Sequence, residues 1–178
     1  MNTIYFGDKF LGFRYAWIPA TAWIYPVTTP ATPLNVQLTN GEVDVVAFSD
    51  SLGTKVVQQI LIPGDLDTGG TAGLIPTGYS ATGAASKNIE FTLSHSAKAN
   101  GEAIDAAHTD LISGDLSVDP TTKDLDVFDT EWAPTVSTLS WVGLDLVRLK
   151  FGRTAPTTND LVGDYYHIGL LIKLPVLP

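Results

Sequence analysis

Residues 88–96 read NIEFTLSHS and residues 146–151 read LVRLKF. In the first, Ile89, Phe91 and Leu93 fall on one side of an extended chain and Glu90, Thr92 and Ser94 on the other. In the second, Val147, Leu149 and Phe151 point one way while Arg148 and Lys150 point the other. Successive side chains of a strand alternate between faces, so an apolar period of two marks a strand with one buried face. Residues 165–174, YYHIGLLIKL, alternate likewise, with Tyr166, Ile168, Leu170, Ile172 and Leu174 on one face and His167 on the other. EVDVVAF (42–48) and KVVQQILI (55–62) are richer in β-branched residues and alternate less strictly, as strands covered on both faces do. TVSTLSWVG (135–143) supplies a further strand before a turn at Gly143.

Turn formers separate these runs, at 50–53, 63–70, 76–83, 100–101, 119–122 and 156–159. The one helix-like stretch, GEAIDAAHTDLI (101–112), would set Ile104, Ala107 and Leu111 on an apolar face, but it is short enough to be marginal. Short strands punctuated by turns point to an all-β fold: an antiparallel β-sandwich, jelly-roll-like, over residues 40–178.

Residues 1–39 differ in texture. Tyr5, Phe6, Phe10, Phe13, Tyr15, Trp17, Trp23 and Tyr25 crowd together, and prolines follow at 26, 30 and 33. Proline spacing of this kind favours extended chain. Two readings stand open: an extended aromatic and Pro-rich N-terminal arm that embraces a neighbour, or a first strand plus long loop in the domain's own core. On the arm reading, Tyr15, Trp17, Trp23 and Tyr25 are candidate assembly contacts, because aromatic anchors dominate interface energetics. Deleting residues 1 to about 33 would then weaken assembly more than the fold.

Composition narrows the function classes. The 178 residues carry 10 Lys+Arg against 19 Asp+Glu, a formal charge of −9. That sign repels phosphate backbones and anionic lipid, so neither nucleic acid nor membrane is an expected partner. Only 16% of residues are charged, against a usual value of about 25%. Low charge density is consistent with surface hidden in an oligomer, or with a large core under Ser- and Thr-rich faces. With no cysteine, disulfide and thiolate chemistry are closed. The N-terminus lacks the basic-then-apolar order of a signal peptide, so synthesis and folding in the cytoplasm are expected.

Catalytic motifs are not legible. Acids gather at Asp105, Asp110, Asp115, Asp119, Asp124, Asp126, Asp129 and Glu131, but DPTTKDLDVFDTE lacks the glycine and spacing of an EF-hand loop. His95, His108 and His167 are far apart, and structural roles suit them, with His95 inward and His167 outward. GYSATG (78–83) lacks the second glycine spacing of a nucleophile elbow. Two acids meeting in space as a glycosidase pair stay open, since spacing does not show it. Trp17, Trp23, Trp132 and Trp141 are candidates for stacking on sugar rings, with Trp141 better placed in the core and Trp132 in a loop. Catalytic, cofactor and metal residues are therefore assigned to none.

Residues 145–174, DLVRLKFGRTAPTTNDLVGDYYHIGLLIKL, run as a strand ending in Arg153, a polar loop, an Asp-Leu-x-Gly-Asp segment and a final amphipathic strand. This resembles the end of tailed-bacteriophage head-decoration (cement) proteins and related jelly-roll phage virion proteins. WIPATAW (17–23) and KVVQQILIPGDLDTGG (55–70) fit the same layout. The resemblance implies a non-enzymatic structural virion protein without cofactor. It implies a homotrimer bound to the major capsid protein of a phage head, at the capsid surface, after synthesis in the host cytoplasm. The alternative is a receptor- or glycan-binding module of a tail fibre or spike, and a third reading is a carbohydrate-active enzyme. Within the stretch, Arg153 is expected to clip the loop through a bidentate ion pair with Asp160 or Asp164.

Overall fold

The structure, a computed structural model, describes residues 3–49, 53–82, 87–103, 105–128 and 132–178. The strands are β1 (Thr3–Tyr5), β2 (Phe13–Pro19), β3 (Thr32–Leu38), β4 (Gly41–Phe48), β5 (Lys55–Leu61), β6 (Gly73–Ser80) and β7 (Asn88–Lys98). They continue as β8 (Thr109–Ile112), β9 (Leu116–Ser117), β10 (Asp126–Val127), β11 (Leu146–Thr154) and β12 (Tyr165–Pro175), with one helical turn, α1 (Val136–Leu139).

Two sheets form, ordered β1-β5-β11-β7-β8 and β10-β6-β12-β4-β3; β9 also pairs with β7, and β2 with β12. The connectivity becomes plain when β4, β5, β6, β7, β8, β10, β11 and β12 are numbered one to eight. First pairs with eighth, second with seventh, third with sixth and fourth with fifth, all antiparallel. That is one long folded ribbon. Wrapping it upon itself adds the pairs β12–β6 and β11–β7 and closes the two sheets over one core. The fold is an antiparallel jelly-roll sandwich.

The core is built on rings. Phe151 of β11 lies 5.0 Å from Phe91, 4.9 Å from His167, 5.7 Å from Phe48, 5.8 Å from Trp23 and 6.4 Å from Trp132, centroid to centroid. Those partners come from β7, β12, β4, the β2–β3 connection and the segment before α1, so one side chain joins five parts of the chain.

Residues before β4 are stitched into both sheets. β2 pairs with Gly169–Pro175 of β12, while Ile24 exchanges two backbone hydrogen bonds with Val57 of β5, at 3.0 and 2.8 Å. Ala31 and Thr29 bond to Lys55, after which β3 returns to the other sheet beside β4. Ile18, Ala20, Trp23 and Ala31 all belong to the core. A projecting arm is therefore not what these residues form, and removing residues 1–33 would open the core.

Three local readings are corrected. Residues 135–143 are not a strand: Val136 and Leu139 are both fully buried at i, i+3 spacing, in a helical turn capped by Thr135 Oγ1, which accepts the Thr138 N–H at 3.2 Å. Ser140 ends the turn in the left-handed region, with φ of 53°. The 101–112 stretch holds no helix among its described residues; Thr109–Ile112 is an edge strand on β7, and Ile104 lies outside the described residues. In β12 a bulge between His167 and Gly169 shifts the register against β6. One extra residue inverts the faces. Tyr165 and His167 therefore point inward before the bulge and Leu170, Ile172 and Leu174 after it, leaving Tyr166 and Ile168 outside the core.

Phe151→Ala should cost about 3–5 kcal/mol of unfolding free energy, as truncation of a large buried ring does. Urea denaturation followed by far-ultraviolet circular dichroism measures it. A loss below about 1 kcal/mol would mean that the ring cluster is not the centre of the core.

Candidate functional site

A solvated sheet face is normally polar, but the outer face of the β10-β6-β12-β2 sheet is not. Strand register sets Trp17 of β2 opposite Leu171 of β12, and Leu171 opposite Ile75 of β6. This makes an apolar row across three strands. Trp17 is 42% exposed, and its indole lies over Gly169, where a Cβ would collide with the ring. Glycine at 169 is what lets the ring lie flat on the sheet. Val127 of β10 extends the apolar face and is also exposed. Tyr15 pairs with Lys173, whose ammonium sits 4.0 Å above the Phe13 ring, a cation–π contact.

The four aromatic candidates do not act together. Trp17 and Tyr15 share this outer face, whereas Trp23 is 4% exposed and stacks on Phe151 inside the core. Trp23 is thus unavailable to a neighbour. Tyr25 is half-buried beside Pro33, Leu34 and Val45, against β3 and β4 rather than in Trp17's row. Trp132 and Trp141 are buried as well, so of the four tryptophans only Trp17 offers a face to solvent. Sequence reasoning missed Arg14, which anchors β2: its Nε and Nη2 donate to the two Asp65 carboxylate oxygens at 2.9 and 3.0 Å, and Nη1 to Gly7 O at 3.0 Å. Nothing in the spacing of residues 14 and 65 signals that pair.

Arg153 is 2% exposed at the inner end of β11. Its Nη2 donates to Asp160 Oδ1 at 2.9 Å and to the Leu161 carbonyl, while Nη1 donates to Gly163 O at 2.7 Å. The guanidinium thus holds the loop by one carboxylate oxygen and two backbone carbonyls, and the ion pair is not bidentate. Asp164 is not among its partners; the Asp164 carbonyl instead accepts the Ala81 N–H.

Three of the six acids of 105–128, Asp115, Asp119 and Asp126, accept hydrogen bonds that tie loops. Asp115 accepts from the Thr157 and Thr158 backbone N–H groups at 2.7 and 3.1 Å and from both hydroxyls. Those bonds, the Thr158 hydroxyl first, hold its carboxyl down at about 2. Asp129, Glu131 and Gly83 lie outside the described residues. Among the described residues no three His, Asp or Glu side chains converge as a metal-binding group, and no helix is long and apolar enough to cross a membrane.

Two buried groups titrate in opposite senses. Burial raises the Asp126 carboxyl to about 6, against the pull of the Asp119 N–H and the Tyr165 hydroxyl. His167, sealed among the core rings rather than facing outward, is lowered to about 3 by the same cause.

No protein-family description matches the chain, and no curated protein does. Among solved structures, a chain of infectious bursal disease virus Gx strain matches with a TM-score of 0.36 at 12% identity, over 92% of this chain and 32% of that one. The protein thus spans about a third of that neighbour's length. A likeness this low carries no argument about function.

Arg153→Lys should lower stability by about 2 kcal/mol, since one ammonium does not reach three separated oxygens as the fork does. Asp160→Asn should lose part of that and Asp164→Asn none, as read from thermal melts. Equal losses at the two aspartates would contradict the geometry.

The titrations predict a pH effect. Asp126, raised in the fold, contributes stability that is complete below about pH 4 and lost as pH rises through about 6. His167, depressed in the fold, contributes stability present above its ordinary 6.5 and lost as pH falls through about 3. Between pH 4 and 6 the two slopes oppose each other. Asp126→Asn should therefore make stability climb more steeply with pH across that window, by up to about 1.4 kcal/mol per unit. An unchanged slope in urea midpoints would refute this.

Proposed function

We propose that the protein is a structural component of a virus particle, most specifically a head-decoration protein of a tailed bacteriophage. In this reading it self-associates as a trimer and sits on the outer capsid surface against the major capsid protein. The observation that carries the reading is the exposed Trp17 ring, set beside half-buried Leu171 and buried Ile75 on the outer face of a jelly roll whose inside is filled. Jelly rolls serve as coat-forming, lectin and cupin domains, and larger barrels use their interior to enclose ligands. Here that interior is packed with Trp23, Phe48, Phe91, Trp132, Phe151 and His167. The apolar surface left over faces outward. Trp17 is a rigid anchor of the type that dominates interfaces, and burying its row against another subunit would remove its cost in water. Binding that recognises only the assembled shell stabilises that shell by mass action.

Light scattering at high micromolar concentration should show a trimer. Trp17→Ser with Leu171→Ser should dissociate it, by about 2 kcal/mol or more per interface, with the circular dichroism unchanged. A monomeric parent protein, or a trimer indifferent to the double substitution, would overturn the proposed surface.

A further inference from the structure

The opposite sheet carries a different surface, independent of the apolar row. Arg148 and Lys150 occupy successive outward positions of β11, and Gly152 is the next. The Lys55 stem lies over Gly152, with its Cγ 3.1 Å from where a Cβ would stand. Because position 152 has no side chain, Lys55 continues the line of cations. Three of the chain's ten basic residues thus meet on one patch of a protein with net charge −9. Register completes the other wall: Lys150 faces Ser94 on β7, and Ser94 faces Asp110 on β8. His108 and a second acid, Asp105, also line this hollow of about 440 Å³.

Cations side by side repel, and such a cluster is stabilised by a ligand that brings negative charge. Neither Lys55 nor Lys150 forms an ion pair with any described residue. The His108 imidazole is held below its ordinary range by burial first and then by Lys150, Arg148 and Lys55, against an opposing pull from Asp110, so the cations reach it across the hollow. Its Nε2 is buried without a hydrogen-bond partner. The lining is polar and the size falls within the roughly 300–1,000 Å³ of small-molecule sites. One wall supplies donors for an anionic oxygen, and Asp110 on the other supplies an acceptor for hydroxyl groups.

We propose that this hollow binds an acidic saccharide, its carboxylate on Lys150 and Lys55 and a ring hydroxyl donating to Asp110. A hexuronate residue has both features, whereas an inorganic anion has only the first. Glucuronate, glucose and sulfate are therefore the probes, each titrated into the full chain and followed by amide chemical shifts. Glucuronate should bind saturably and glucose should not. Lys150→Gln should weaken glucuronate at least tenfold, with the thermal melt unchanged. Asp110→Asn separates the ligand classes: it should weaken glucuronate, which loses its acceptor, and strengthen sulfate, which loses a repelling charge. Absence of saturable glucuronate binding overturns the proposal. So does an Asp110→Asn variant that binds both anions more tightly, because the hollow would then be a site for inorganic anions only.

Discussion

Phe151 is the contact on which the sandwich depends. Its ring receives Trp23, Phe48, Phe91, Trp132 and His167, brought from five separate stretches of chain. A two-sheet fold has to close its core with side chains that reach across a gap of about 10 Å. Rings do this economically, since each buries a large apolar area while freezing few rotatable bonds. Filling the interior this way has a functional consequence. A jelly roll with a packed centre has only its outer faces and loop ends left for recognition.

The bulge in β12 shows how the fold organises those faces. On one side β12 pairs with β6 along most of its length, while on the other β4 covers Tyr165–His167 and β2 covers Gly169–Pro175. The neighbour changes where the bulge falls. Regular pairing through that point would have turned His167 to solvent and Ile168 into the core. The bulge instead brings a neutral imidazole among the rings and turns Tyr166 and Ile168 outward, onto the face where Leu171 meets Trp17. Core composition and outer surface are thus set together by one inserted residue.

The two outer faces divide by chemistry. The β12 sheet presents a row suited to burial against protein, and the β11 sheet a line of cations facing an acceptor wall. Neither needs the other, and covering one leaves the second open to solvent. The buried Arg153 belongs to neither surface. It spends its charge on Asp160 and two carbonyls, and so holds the loop that delivers the chain into β12.

Residue order alone determined the fold class, because a period of two in 88–96 and 146–151 survives any arrangement of neighbours. It also marked Arg153 as a partner for Asp160 or Asp164 across one loop, but the choice of Asp160, through a single oxygen, belongs to the tertiary structure. Where local patterns failed, a tertiary contact had overridden them. The Val136–Leu139 turn looked like a strand because a single capped turn leaves too few residues to display a helical period. Tyr166, His167 and Ile168 were assigned to the wrong faces because a bulge is a property of the pairing between strands. The N-terminal aromatics could be read as arm or core, since aromatic content is the same in both, and only the hydrogen bonds to β5 and β12 separate them. Arg14 with Asp65, and Lys55 with Arg148 and Lys150, became neighbours through the wrapping of the ribbon. Alternation is carried by the bonds of one strand, so sequence reveals it; which strands lie side by side is decided by closing two sheets on one core, so only the tertiary structure does.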